Sequence, residues 1–267
     1  MADVPDMHAG ALPGSGAVGR RLAYYRPGLR QEAHSHHRPH VSIVVAGSFR
    51  ETTARGERLV CQGHVGFRAD CARHSVSYGP AGALVLSLGA HAWLAAGVPA
   101  AGVGWVRAAV PFARQMIELA GANEAEAEDA LVDLWAAARE VGEERRGKGC
   151  PAWLAEAAER LLAAPENFSI AALASSIGVH RVHLSRRFLR HFGMTPSLFR
   201  RRAMTARALA AALGEEESLA GAAVRAGFAD QSHMARAMRE SCGMGAGRIR
   251  RLLGGATSVQ SAGPSAR

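Results

Sequence analysis

From Arg20 to about Gly89 apolar and polar positions alternate in short bursts, with Gly or Pro between many of them. That spacing predicts strands at Arg21–Tyr25, Val41–Ala46, Phe49–Ala54, His64–Arg68, His74–Tyr78 and Ala83–Leu88. Short strands so arranged suit a β-sandwich or small barrel. Residues 1–19, rich in Gly, Ala and Pro, are expected to be disordered, and residues 90–110 follow no clear period. From Pro111 to about Glu144 the period becomes helical. Met116, Ile117 and Leu119 form one apolar group, and Leu131, Leu134, Trp135 and Ala138 another, with Gly121-Ala122-Asn123 between them. Such a helical pair can be a homodimer surface or can pack on its own barrel. The charged, Gly-rich run Glu143–Gly149 has the composition of an interdomain linker.

The C-terminal part is helical and says one thing twice. A stripe of Trp153, Leu154, Ala157, Leu161 and Leu162 ends at Pro165. The run from Ser169 through Gly178 to Val179 then recurs from Ser218 through Gly227 to Phe228, 49 residues later. Leu184 and Arg186 match Met234 and Arg236 at a spacing of 50, so one residue is inserted after the turn. Each copy has the layout of a helix-turn-helix. A Ser caps the first helix, small residues allow close packing, and Gly takes the turn, where positive φ costs it little.

In each second helix, two apolar residues one turn apart face inward: Leu184 and Phe188, then Met234 and Met238. The outer faces carry Arg181, Ser185, Arg186 and Arg190 in the first copy, and Gln231, Ser232, Arg236 and Arg239 in the second. Asp230 is a good N-cap and His180 a weaker one. A basic helix face alone is usually just solvated. Here the Gly turn, the buried pair and the basic face all recur together, which favours DNA. A helix fits the major groove, where Arg can pair with guanine and Gln with adenine through two hydrogen bonds. Two such helices about 34 Å apart would read successive grooves of one duplex.

The charge distribution agrees. Residues 151–253 hold 15 Arg, no Lys and 8 acids, whereas residues 1–150 hold 16 basic and 15 acidic side chains. The basic excess therefore lies with the paired motif, as phosphate binding requires.

At this point the chain resembles a known family. Leu-Ser-Arg-Arg-Phe at 184–188, Gly-Met-Thr-Pro at 193–196 and Ala-Gly-Phe-Ala-Asp-Gln-Ser-His-Met-Ala-Arg at 226–236 are similar to the AraC/XylS transcriptional regulators. The resemblance spans residues 151 to 253 and implies a seven-helix, double helix-turn-helix DNA-binding domain. It also implies that Val182, Ser185 and Arg186, then Gln231, Ser232 and Arg236, read bases. Two departures stand out: Gly243-Met244-Gly245-Ala246 replaces Gly-x-Thr-Pro in the second copy, and Met234 replaces Phe. Both weaken packing or capping rather than the groove-facing side.

Gly28, His34, His36, His40 and Gly47 resemble the first cupin motif, with His40 in the place of its Glu. Gly63 and His74 fall where the second cupin motif has Gly and His, while Ala69, Cys71 and Tyr78 depart from it. A cupin-like sensor barrel is the usual N-terminal partner in AraC-type regulators, so the two resemblances support each other. His34 and His36 share a strand face. With His40 and His74 they can offer neutral imidazole nitrogens to a divalent transition metal, or line a polar effector pocket without one. His37, His64 and His91 fit no motif and are expected at the surface or in packing.

The resulting expectation is an α+β chain. Its parts are a disordered segment (1–19), a cupin-like sensing barrel (20–110), a helical segment for linking or dimerisation (111–149), an AraC-type DNA-binding domain (150–253) and a flexible tail (254–267). Its function would be sequence-specific transcription regulation under a small-molecule or metal effector, with double-stranded DNA and RNA polymerase as partners and no required cofactor. A metal-dependent cupin enzyme bearing a DNA-binding module is the alternative, although no acid, base or substrate clamp is evident. A nonspecific architectural binder suits the discrete polar readers less well. Cys61, Cys71, Cys150 and Cys242 lack zinc-like spacing and are read as thiols of a reducing compartment. With no signal peptide and no apolar run near about 18 residues, the expected place is the cytoplasm, at the nucleoid, with no membrane contact.

Overall fold

The computed structural model describes residues 7–11, 20–36, 40–68, 73–89, 104–107, 150–214 and 218–254. The helical pair expected at 111–149, Cys71, His37, His91 and the tail beyond Gly254 lie outside them.

The N-terminal region is an eight-stranded antiparallel sheet. Its strands are β1 (Met7–Ala11), β2 (Arg20–Tyr25), β3 (Arg30–His34), β4 (His40–Thr53), β5 (Gly56–Cys61), β6 (His64–Arg68), β7 (His74–Gly89) and β8 (Gly104–Arg107). The main path runs β1-β2-β7-β4-β6-β8, with β3 added on β7 and β5 on β4. Two pairs of short predicted strands prove to be single long ones. Val41–Ala46 joins Phe49–Ala54 as β4, and His74–Tyr78 joins Ala83–Leu88 as β7. The Gly signals within them mark irregularities rather than ends: the β4–β7 register shifts between Val44 and Ala46 and between Gly47 and Phe49. Gly47 has φ of 78°, and a Cβ there would lie 2.0 Å from the Gly82 carbonyl oxygen, so only glycine lets the two strands approach this closely. Met7–Ala11, expected to be disordered, instead pairs in register with Arg21–Tyr25.

The C-terminal region is all-helical, with seven α-helices among the described residues. These are α1 (Ala152–Ala163), α2 (Ile170–Ser176), α3 (Arg181–Phe192), α4 (Pro196–Leu213), α5 (Leu219–Arg225), α6 (Gln231–Cys242) and α7 (Ala246–Gly254). The pair α2–α3 is the first helix-turn-helix and α5–α6 the second, with α4 running between them. Both turns use glycine at positive φ, Gly178 at 71° and Gly227 at 84°.

The apolar core divides unexpectedly. The first helical unit has its own cluster of Leu154, Leu161, Leu173, Leu184, Phe188 and Phe199, touched from the sheet by Leu59 and Cys61. The second unit has no such separate cluster. Ala222, Met234, Met238 and Ile249 join Leu22, Ile43, Leu84 and Leu86 of the sheet in one continuous core. The opposite sheet face is a third cluster, built on Val44, Phe49, Val76, Tyr78 and Trp105. Helices α1, α4, α6 and α7 pack on the strands of the sheet.

Candidate nucleic-acid interface and histidine cluster

Both candidate reading helices are built by the same local chemistry. Ser169 caps α2 by accepting from the Ala172 amide at 3.1 Å, and Ser218 caps α5 by accepting from Gly221 at 3.1 Å. At the start of α3, His180 Nδ1 accepts from Val182 N–H at 3.3 Å; at the start of α6, Asp230 Oδ1 accepts from His233 N–H at 2.7 Å. Each helix ends on a left-handed glycine, Gly193 or Gly243. Leu184 and Phe188 are fully buried in α3, as are Met234 and Met238 in α6.

Burying those faces turns the predicted readers outward. Arg181, Val182, Arg186 and Arg190 are exposed on α3, and Gln231, Ser232, Arg236 and Arg239 on α6; Ser185 is half-buried. Val182 is 42% exposed, one of the exposed large apolar side chains together with Leu189 and Val224. Among the described residues no carboxylate pairs with Arg186 or Arg236. Their guanidinium groups are therefore available to a ligand.

The arginines of α4, a basic run in the sequence, divide between surface and interior. Arg200 donates from Nε to the Pro165 carbonyl at 2.5 Å, and Arg207 donates to the Ala163 carbonyl. Arg202 is only 7% exposed. It donates to the Gln62 carbonyl at 3.3 Å and lies 3.4 Å from the Met194 sulfur. Burial lowers its pKa, opposed by the nearby Cys61 and Cys242 thiols. Of the run 200–202, Arg201 alone is exposed, 3.9 Å from Glu240. The sequence showed a basic run but not which members point into the protein.

At the start of the helix that follows each reader, the Thr-Pro departure has its expected effect. Thr195 caps α4 by accepting from Leu198 N–H at 3.3 Å. The equivalent Gly245 has no side chain to cap α7, which begins on backbone bonds from Arg248 and Ile249 to the Gly245 carbonyl.

The histidines of the sheet also converge. Candidate ligand nitrogens of His34, His36 and His74 all lie within 4.8 Å of one another. The β3–β7 register pairs His34 with His74 directly. His40, at the start of β4, is not in that trio, although its ring centroid is 4.4 Å from that of His36. His74 is 3% exposed, and the other three are half-buried. His34 Nδ1 is 2.7 Å from the Glu32 carbonyl oxygen. A carbonyl only accepts, so Nδ1 carries the proton and Nε2 keeps its lone pair for a ligand. His64 packs against the β5–β6 turn, with Nδ1 2.8 Å from the Cys61 carbonyl, as a packing residue would.

Residues 173–252 match a family described as a helix-turn-helix domain. The match spans both helix-turn-helix units, from α2 to α7. Three solved structures are similar to parts or all of the chain. An AraC-type regulator from Chromobacterium violaceum is 24% identical, covering 38% of this chain and 91% of its own, with a TM-score of 0.36. ToxT from Vibrio cholerae, solved with an unsaturated fatty acid, is 10% identical, covering 96% and 99%, with a TM-score of 0.40. Oxalate decarboxylase from Bacillus subtilis is 21% identical, covering 33% of this chain and 26% of its own, with a TM-score of 0.29. At these scores the likenesses carry no argument. Comparison with curated proteins gave no match. Among the described residues no helix is long and apolar enough to cross a membrane.

Proposed function

We propose that the chain is a sequence-specific transcription regulator in which α3 and α6 enter successive major grooves of one duplex, under an effector bound in the sheet domain. One observation carries this reading: Arg186 and Arg236 occupy matched positions in two separately capped helices, and both are exposed without a carboxylate partner among the described residues. Val182 and Ser185 accompany the first arginine, and Gln231 and Ser232 the second. Arg181, Arg190 and Arg239 flank them as phosphate contacts. Alanine at Arg186 or Arg236 is expected to cost about 1–3 kcal/mol of specific binding and to relax one half of the site. A gel-shift titration in which both variants keep wild-type affinity and selectivity would remove the assignment.

The effector site is assigned to His34, His36 and His74, with His40 beside them. Three imidazoles at this spacing, one with its tautomer set by Glu32, suit a divalent transition metal. Such an ion would supply an open coordination position for a chelating effector, while the histidines orient it. Metal analysis of the purified chain, compared with His74→Ala, tests this part; equal metal content in both would remove the metal assignment. RNA polymerase, a second copy of the chain and the cytoplasm complete the reading. The dimerisation arm is tested by the mass of the full chain in solution.

A further inference from the structure

The sheet domain meets the helical domain at a buried polar junction that the two-reader arrangement leaves unexplained. The turn between β5 and β6 inserts between the two helix-turn-helix units. Gln62, only 5% exposed, sits at its tip. Its Nε2 donates to the Ser241 carbonyl at 2.8 Å and to Ser241 Oγ at 2.8 Å, and Ser241 Oγ donates to Oε1 at 3.1 Å. The Gln62 backbone carbonyl accepts from Arg202, in the middle of α4. Both ends of the side-chain amide are satisfied, and both reach Ser241, in the last turn of the second reading helix.

That position matters. The last carbonyls of a helix have no partner within the helix and must be satisfied from outside. For α6 one of those partners comes from the other domain, 179 residues away in sequence. The matched position in α3 is His191, whose ring packs edge-on against Phe192 of its own unit. The C-terminus of α6 is therefore held partly by the sheet, through Ser241. The turn is itself fixed on β4, since Gln62 N–H donates to the Gly47 carbonyl at 3.1 Å and Gly63 N–H to that of Val44 at 3.0 Å. The same strand begins at His40, beside the histidine cluster. One strand thus connects the candidate effector site to the C-terminus of one reader.

We infer that Gln62 is a positioning residue for DNA recognition, setting the pose of α6 from the sheet domain and so governing selectivity at the second half of the bound site only. It touches no DNA; it acts through Ser241 on the helix that carries Gln231, Ser232 and Arg236. This inference rests on the two-reader proposal, and its test separates the two. A duplex is selected from random sequence with the full wild-type chain, and two derivatives are made, each scrambled in one half. Fluorescence anisotropy measures the affinity lost on scrambling each half, for wild type, Gln62→Ala, Ser241→Ala, the double variant and Arg236→Ala.

Gln62→Ala is expected to reduce the penalty for scrambling the second half by about fivefold or more, the usual span of coupling between sites, while leaving the first-half penalty unchanged. Ser241→Ala should move the same penalty in the same direction, and the double variant should go no further than Gln62→Ala alone. General loosening of the fold would lower both penalties together. If Gln62→Ala changes both penalties equally, or neither, while Arg236→Ala selectively abolishes the second, the positioning role is overturned and the two readers stand. If Arg236→Ala leaves both penalties intact, the two-reader proposal fails and the inference with it. Should Gln62→Ala not fold, Ser241→Ala decides alone, because it removes only a hydroxyl; an unchanged second-half penalty would then overturn the role.

Discussion

The two helix-turn-helix units repeat the same layout yet belong to different parts of the molecule. The first is built on a phenylalanine-rich core of Phe188, Phe192 and Phe199, met at its edge by Leu59 and Cys61 of the sheet, with a reading helix of four arginines and no acid and a Thr-Pro start to the next helix. The second has Met238, Cys242 and Ile249 in the matching places, carries Glu240 within its reader, and shares its core with the sheet. A duplicated motif need not remain two equal modules. On the proposed reading, the first unit supplies affinity for phosphate and the second responds to changes in the sheet.

Core truncation gives the largest test of that contrast. Phe188→Ala is expected to cost about 3–5 kcal/mol and Met238→Ala about 2–5 kcal/mol, measured by thermal or denaturant unfolding. The sharper readout is where protection from hydrogen exchange is lost. Met238→Ala should loosen amides of β4 and β7, with which its cluster is continuous, and Phe188→Ala should spare them. Equal loss in the sheet for both variants would erase the distinction.

The charge difference comes next. Each phosphate contact contributes a slope of about −0.9 to the dependence of log affinity on log salt. Neutralising Arg190 should therefore flatten the slope by nearly one contact. Glutamine at Glu240 should strengthen binding slightly and uniformly across sequences. A flat response to Arg190→Gln would break the view of the first unit as the anchor.

Helix starts give a smaller effect. Asp230→Ala removes a 2.7 Å cap and should cost about 1 kcal/mol, whereas the 3.3 Å cap of His180 should be worth less. Urea unfolding of the two variants ranks them, and the reverse order would show that the caps do not distinguish the units.

An effect confined to alkaline pH lies in Cys242, whose thiol burial pushes from 9.0 up to about 12, against weaker opposing effects of the Ser241 hydrogen bond and Arg202. Its folded pKa is raised, so its contribution is complete below about pH 9 and is lost as pH rises toward 12. Stability should therefore decline across that alkaline window less steeply in Cys242→Ala than in wild type. Identical pH profiles would argue against the burial described for the end of α6.

The repeat in the helical half was legible because capping, glycine turns and buried pairs are local signals, each fixed by a few residues. Ser169, Ser218, Gly178 and Gly227 all take the expected places. The outward set from Arg181 to Arg239 follows from the same period once the buried residues are known. The sheet was less legible. Gly47 reads as a break in sequence, but in the structure it allows a close crossing and the strand continues. Strand Met7–Ala11 depends on pairing with β2, which composition does not show. Arg202 and Gln62 were missed for a related reason. An arginine in a basic run and a glutamine beside a glycine look exposed, and only contacts between distant segments bury them. The histidines fell between these cases. His34 and His36 are near in sequence, but the register of β3 with β7 is what brings His74 to them.

The continuous core beneath α4, α6 and α7 bears on how this chain can be dissected. A fragment carrying only the helical half would uncover the apolar surface now covered by Leu22, Ile43 and Leu86. Such a piece would be adhesive and poorly soluble, and cutting at the linker would not yield two well-behaved proteins. The two functions are written in separate stretches of sequence, but they share a single interior.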